Sequence, residues 1–409
     1  MNERLLPPME KFGKLNEVFK AFLKLGLISF GGPVAHLSYF REEFVHSRKW
    51  LDDAAFGDLI ALCQFLPGPA SSQVVFALGM RRAGIAGAFT ASFCFTIPSA
   101  ILMILFAYGV GAFGDLRHAG WLHGLKLAAV AVVAQAVWGM GRNLCPDLRR
   151  KIMALGAAAF VLFFPGSFSQ IAAIAIGAMI GWWIYRDAVQ VNGTPGKPGS
   201  PGIRAHVTAA ACLCVFFTLL IALPVLAATV RVETLSVFDS FYRAGSLVFG
   251  GGHVVLPLLR AEVVPRGWVS DDTFLAGYGA VQAVPGPLFT FSAYLGTVMH
   301  PGPWAWVRGL MCLFAIFLPA WLLVGGALPF WEELRKRNWM QAALRGGNAA
   351  VVGVLLAALY NPVIITGVRN AQDAALALVA FSLLEFRKTP PWLVVIFAAA
   401  AGQFLLTWF

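Results

Sequence analysis

The chain has 409 residues, 59% of them hydrophobic and 12% charged, with a mean hydropathy of +0.73. That balance excludes a water-soluble globular domain and fits a polytopic helical membrane protein embedded in a lipid bilayer. The net charge of +11 would suggest a nucleic-acid partner in a soluble protein, but here the Lys and Arg fall between apolar runs, so no nucleic acid is expected.

In chain order, the apolar segments of the first half are 16–32, 54–79, 84–113, 120–141, 152–165 and 168–185. The first two end where a membrane helix would be expected to continue, at Phe30-Gly31-Gly32-Pro33 and at Leu66-Pro67-Gly68-Pro69 followed by Ser71-Ser72-Gln73. Proline removes an N–H and clashes with the preceding turn, while paired glycines let the backbone approach a ligand. Broken backbone at membrane depth is tolerated only where it is packed in protein or lines a wet cavity, so these breaks are the leading candidates for a binding site.

Residues 187–205, with Asn192-Gly193-Thr194-Pro195-Gly196-Lys197-Pro198-Gly199-Ser200-Pro201, read as a flexible linker between an N-terminal unit, 1–186, and a C-terminal unit, 206–409. The second unit carries segments 206–230, 237–258, 272–299, 303–329, 341–361, 371–386 and 391–408. The expected total is about thirteen crossings, within a range of 12–14, because several segments are short for a hydrocarbon core of ~30 Å. The N-terminus lacks the features of a removable signal peptide, and the six cysteines are scattered without metal-ligand spacing.

An internal repeat links the halves. Phe30-Gly31-Gly32 matches Phe249-Gly250-Gly251, and Glu43 matches Glu262, at an offset of 219. Trp50, Asp53, Gln64 and Pro67-Gly68-Pro69 match Trp268, Asp271, Gln282 and Pro285-Gly286-Pro287 at an offset of 218. Further on, Phe93 to Pro98 aligns with Phe314 to Pro319, and Gly124 with Gly346. Six repeated segments plus the extra crossing 206–230 make the second copy enter the membrane from the opposite side. Loop charges agree: basic clusters at Arg81-Arg82, Arg142 with Arg149 to Lys151, Arg335 to Arg337 and Arg387-Lys388 share one face. With that face cytoplasmic, the N-terminus is inside and the C-terminus outside. One loop resists, because Arg41, Arg48 and Lys49 fall outside on this count, mixed with Glu42, Glu43, Asp52 and Asp53. Inverted repeats are the signature of alternating-access transporters with a site at the repeat interface.

The combination of Phe-Gly-Gly-Pro with His36, an acidic residue, Arg48-Lys49-Trp50-Leu51 and Pro-Gly-Pro in one half resembles the chromate ion transporter family in its long, two-domain form. So does Phe-Gly-Gly-Gly with His253, Pro257, Glu262, Gly267-Trp268 and Pro-Gly-Pro in the other. The resemblance implies export of chromate across a bacterial-type inner membrane, conferring chromate resistance and driven by the membrane potential or a proton gradient, with sulfate as the look-alike dianion. Another oxyanion or an organic acid would keep the fold and change only the lining. A structural or lipid-handling membrane protein would not need polar breaks in both repeats.

A tetrahedral dianion needs several donors and positive potential in a partly dehydrated cavity, which helix N-termini at mid-membrane breaks supply. Half-helices are expected to restart near Ser71 and Leu288. Ser71, Ser72 and Gln73 can ring an oxyanion, or Ser71 and Ser72 can simply cap the helix. The second copy offers Leu288, Phe289, Thr290 and Phe291 there, so the first is expected to grip the anion and the second to shape the path. Gln64 and Gln282 suit either substrate contact or repair of the proline breaks. Lys126, whose repeat partner is Asn348, is an intramembrane cation near a helix end, able to bind the anion, couple its movement or snorkel. Glu43 and Glu262 can exchange a proton or clasp Arg41, Arg48 or Arg260. His36 and His253 flank the breaks but sit two residues out of register. Trp50 and Trp268 read as interfacial anchors. With no Walker loop, metal cluster or catalytic triad in the sequence, neither enzymatic activity nor a cofactor is expected. Copy number is left open, a homodimer included.

Overall fold

The computed structural model describes residues 8–112, 120–164, 167–185, 203–248, 252–330 and 338–408. Among them every regular element is helical. Gly250, Gly251, the basic cluster Arg335 to Arg337 and most of the expected linker, up to residue 202, lie outside the described residues.

The chain opens with two helical hairpins. Helix α1 (Pro8–Ile28) turns at Ser29 to Gly31 into α2 (Gly32–Arg41), which ends in a π turn, Glu42–Ser47. The turn needs glycine, since Gly31 and Gly32 have φ of 96° and 76°. Pairs equidistant from this tip show that the arms run antiparallel: Lys24 donates to Glu43 at 2.7 Å, and Trp50 to Glu17 at 2.8 Å. Helix α3 (Asp53–Phe65), capped by the Asp52 carboxylate on the Ala55 N–H, turns at Pro67-Gly68-Pro69 into α4 (Ala70–Ala112). The first arm of α4 ends where Ala83 and Gly84 leave helical geometry and the chain folds back.

The second repeat copies this plan. Helix α9 (Glu233–Ser246) is antiparallel to α10 (Val255–Val263), with Ser240 donating to Glu262 at 2.9 Å. Helix α11 (Asp271–Val281), capped by Ser270, is antiparallel to α12 (Phe291–Met299), where Tyr294 donates to the Thr273 carbonyl at 2.9 Å. Here α13 (Ala305–Ala327) takes the place of the second arm of α4.

These hairpins correct the expected crossings at 16–32, 54–79, 237–258 and 272–299. A 14-residue α9 is about 21 Å long, short of a ~30 Å core. More decisively, Arg82 bonds Glu17 at 2.5 Å and lies 5.1 Å from the Trp50 ring centre. Residues 17, 50 and 82 are therefore on one face, which full crossings at 16–32 and 54–79 would forbid. Proline and glycine stop each helix midway, and the chain leaves on the side it entered.

The remaining helices interlock. They are α5 (Gly120–Leu144), α6 (Leu148–Phe163) and α7 (Ser167–Tyr185) in the first repeat, and α14 (Asn338–Ala358), α15 (Ala371–Glu385) and α16 (Pro391–Trp408) in the second. Helix α14 packs against α6 and α7, and α5 against α15 and α16, so each repeat's central helix lies in the other's hairpin. The exchange rests on Gly124 and Gly346: a Cβ on Gly124 would collide with the Ala398 carbonyl, and one on Gly346 with the Gly177 carbonyl. Between the repeats runs α8 (Ile203–Val230), packed on α13 and α9 and otherwise largely exposed along its apolar length. Among the described residues five helices meet the length and apolarity of a span, with shorter apolar helices beside them.

Candidate functional site

The four hairpin tips meet, each repeat docking on the other. The Gly68 N–H donates to the Val248 carbonyl at 2.7 Å, and the Gly286 N–H to the Ser29 carbonyl at 2.8 Å. Thus each Pro-Gly-Pro tip caps the turn before the other repeat's Phe-Gly-Gly, giving partners to backbone groups that the breaks would otherwise orphan. Both glycines have positive φ, 122° and 102°. Half-helices do restart where expected, α4 at Ala70 and a 3₁₀ turn at Leu288–Thr290 leading into α12.

Ser71, Ser72 and Gln73 are buried beside the first Pro-Gly-Pro, and the Gln73 amide donates to the Pro67 carbonyl at 2.7 Å. His36 is fully buried, its Nε2 3.1 Å from the Ser29 carbonyl. His253, out of register in sequence, does a different job, sharing a 2.7 Å hydrogen bond from Nδ1 with the Tyr278 hydroxyl. The glutamines also diverge: Gln282 is buried and Gln64 is exposed. The second Pro-Gly-Pro, residues 285–287, is buried throughout, with Thr290 donating to the Pro287 carbonyl at 2.8 Å.

Buried polar atoms without a partner concentrate at these tips: Ser29 Oγ, His36 Nδ1, Ser72 Oγ, Gln73 Oε1 and Gln282 Nε2. Leaving a buried polar group unmade costs about 1–3 kcal/mol, so such a group points to something the fold is built to receive. The hydroxyls of Ser29 and Ser72 and the amide of Gln282 are donors suited to an oxyanion. With His36 Nε2–H on the Ser29 carbonyl, its Nδ1 joins Gln73 Oε1 as an acceptor, suited to water in the anion's shell.

The carboxylates Glu43 and Glu262 lie away from the tips, each at the base of its first hairpin. Glu43 accepts from Lys24 at 2.7 Å and Arg48 at 2.8 Å, and Glu262 from Arg243 at 3.0 Å and Arg266 at 3.1 Å. The clasps are mates, since Lys24 and Arg243 are 219 apart and Arg48 and Arg266 are 218 apart. Arg48 and Arg266 also lie 6.0 and 4.9 Å from the ring centres of Trp50 and Trp268. Burial pushes the Glu43 carboxyl up, but the Lys24 and Arg48 bonds outweigh it and hold the group below its ordinary value. Arg41 pairs instead with Asp53 at 2.8 Å, and Arg260 with Asp271 at 2.7 Å.

Lys126 is buried on α5, bonded at 2.6 Å to Asp272 on α11, while its mate Asn348 is half-buried on α14. Sequence reasoning missed Ser29, Tyr278, Lys24, Arg243 and Asp272. The repeat offset pairs Lys24 with Arg243 as two cations and could have found them; nothing in the sequence marks Ser29 or Asp272.

Paired half-helix hairpins, docked tip to tip between two interlocked repeats, define a multi-pass membrane protein with a pseudo-symmetric polar centre. A family model for the chromate transporter matches residues 16–182 and 235–403, once per repeat with α8 left between, and the chain belongs to that family. It is similar to the chromate transport protein of Pseudomonas aeruginosa, 28% identical over 364 residues covering 86% of this chain and 81% of the relative. The chromate transport protein of Cupriavidus metallidurans is 27% identical over 398 residues, 95% of this chain and 92% of the relative. An uncharacterized transporter of Methanocaldococcus jannaschii is 24% identical over 391 residues, 95% of this chain and 94% of the relative. No solved structure matches the chain significantly.

Proposed function

We propose that this protein is a secondary transporter exporting chromate, and oxyanions of sulfate-like shape, through the centre where the hairpin tips meet. The observation that carries this reading is the set of unpartnered buried donors at the hairpin turns, Ser29 Oγ just after α1, Ser72 Oγ in the first turn of α4 and Gln282 Nε2 at the C-terminal end of α11, in a membrane family named for chromate transport.

The proposed topology has nine crossings among the described residues: the second arm of α4, then α5 to α8, then α13 to α16. With the N-terminus inside, the loop holding Arg41, Arg48 and Lys49 joins Arg81, Arg82, Arg142 and Arg149 to Lys151 on the cytoplasmic face. The hairpins thereby move the exception that thirteen crossings leave in the charge count to the second repeat, where Arg260 and Arg266 fall outside, mixed with Glu262, Asp271 and Asp272. The C-terminus is then periplasmic in a bacterial-type inner membrane, and the units 1–186 and 206–409 correspond to the repeats, with α8 inverting the second.

An inside-negative potential favours leaving for a dianion by about 4–5 kcal/mol at ~100 mV, enough for outward flux and chromate resistance without a coupling ion. A proton gradient remains the other driving force to test. Everted vesicles containing the protein are expected to accumulate labelled chromate, with sulfate competing, in response to an inside-positive potential. Vesicles with folded protein and no flux of either anion would overturn the transport reading, and flux of an organic acid alone would reassign the cargo.

A further inference from the structure

The second arm of α4, beyond the break at Gly84, has no charged residue up to its end at Ala112, yet one of its buried faces is polar. Ser92, Thr96 and Ser99 stand at i, i+4 and i+7, which puts them on one side of the helix, and they are 6%, 8% and 1% exposed. The repeat supplies a comparison. Phe93 to Pro98 aligns with Phe314 to Pro319, so the mates of the three on α13 are Leu313, Phe317 and Ala320, all buried and all apolar. The fold accepts hydrocarbon at these places, and the hydroxyls of the first repeat are not needed to build the helix. Ser92 Oγ has no partner at all, an arrangement that costs stability.

Aromatic contacts fix the flanks of this face. On one side the Phe95 ring lies 5.4 Å from those of His36 and Phe40 on α2; on the other, Phe89 and Phe93 lie 5.4 and 6.1 Å from Trp321 on α13. By helical spacing the hydroxyls look into the seam between them. Their deep end touches the centre: a Cβ on Gly286 would meet Ser99 Oγ at 2.8 Å, whereas at the mate contact one on Gly68 would meet the Ala320 methyl at 3.5 Å. Gly286 is bonded through its N–H to the Ser29 carbonyl, so Ser99 joins Ser29 at that tip. The first arm of α4 brings a further donor. Gly79 packs on Gly87 and Ala91, and in an antiparallel pair this register sets Ser72, two turns back, level with Thr96. Ser72 Oγ is likewise buried and unpartnered.

We propose that Ser92, Thr96 and Ser99 line the anion's route between the centre and the cytoplasmic face. The proposal rests on the anion-transport reading and extends its site. From Ser99 to Ser92 is about 10 Å along the helix axis, towards the break and Arg81-Arg82, whose side is cytoplasmic in the proposed topology. Hydroxyls suit a route better than a trap. Each donates to an oxyanion or to water in its shell, and being neutral none holds a dianion too tightly to leave. Ser99 donates at 3.0 Å to the Thr96 carbonyl, a bond within its own turn that it can exchange for one to the anion. Nothing acidic opposes the charge here: α2, α12 and α13, which pack on this arm, carry no Asp or Glu, and Glu17 of α1, at the mouth, is held by Arg82 and Trp50. The apolar mates on α13 leave the second repeat without such a track.

The test uses the full-length protein in everted vesicles, which present the cytoplasmic face to added chromate, together with thermal unfolding in detergent. Ser92→Ala and Thr96→Val each remove a hydroxyl and put an apolar group where the other repeat has one. Each is expected to raise the half-saturating chromate concentration several-fold, and the pair about tenfold or more, with Tm unchanged or higher. Thr96→Ser, which returns the hydroxyl, should recover most of the loss. Wild-type half-saturation in the folded double variant would overturn the route. So would a loss of flux that only follows a fall in Tm, or a Thr96→Ser protein as impaired as Thr96→Val, since either result would assign the hydroxyls to packing. Absence of chromate flux in the wild-type protein would instead overturn the transport reading beneath it.

Discussion

The Gly68 N–H reaches across the repeat boundary to the Val248 carbonyl at 2.7 Å, and its mate Gly286 reaches Ser29 at 2.8 Å. Each tip is completed by the other repeat, so the centre cannot form in one half alone. A methyl on Gly68 would meet Gln73 Nε2 at 2.8 Å, and one on Gly286 would meet Ser99 Oγ at 2.8 Å. At positive φ an L-residue adds a backbone cost of about 1–2 kcal/mol. Gly68→Ala and Gly286→Ala are each expected to abolish most chromate flux while leaving membrane-inserted protein; wild-type flux from either would show that the docking is dispensable.

Ser72→Ala separates function from folding. Its hydroxyl is buried without a partner, so removing it should leave stability unchanged or raise it by up to about 1 kcal/mol. The same change removes a donor from the proposed anion site. Thermal unfolding in detergent and vesicle flux, measured together, are expected to show a stable protein with impaired transport. If flux were retained, Ser72 would belong to the packing alone.

The two clasps should differ in strength. Both carboxylates are buried, but Glu262 accepts from Arg243, 20% exposed, and from buried Ser240, whereas the matching Lys24 partner of Glu43 is 55% exposed. Breaking a buried pair costs about 3–5 kcal/mol, and an exposed one under about 1 kcal/mol. Glu262→Gln is therefore expected to lower Tm more than Glu43→Gln. Equal shifts would contradict the difference in burial.

Glu43 also gives a pH prediction. Its folded-state pKa lies below the ordinary 4.5, so its contribution to stability is present above that value and is lost as pH falls through the lower, folded one. Unfolding curves below pH 4.5 should converge for wild type and Glu43→Gln, and stay apart at neutral pH.

Topology is open to direct labelling. A cysteine at Ser47 and one at Gly302, both exposed, are expected to react with an impermeant maleimide from opposite faces, Ser47→Cys from the cytoplasm. Reaction of Ser47→Cys from outside would restore the crossing at 16–32.

Much was determined by the sequence alone. Apolar runs of membrane length established the class, since each buries its own backbone hydrogen bonds and declares itself locally. The offset of 218–219 between matching Gly, Pro and Glu residues revealed two repeats, and the odd number of crossings between them revealed their inversion. The breaks were legible too, because Pro and Gly stop a helix wherever they stand. The path of the chain beyond a break was hidden: a stopped helix can cross or turn back, and only contacts far apart in sequence, such as Trp50 with Glu17, decided that these hairpins return. The same holds for the tips. A backbone N–H meeting a carbonyl 180 residues away, as Gly68 meets Val248, leaves no mark in residue type, so tertiary structure alone could join Phe-Gly-Gly of one repeat to Pro-Gly-Pro of the other.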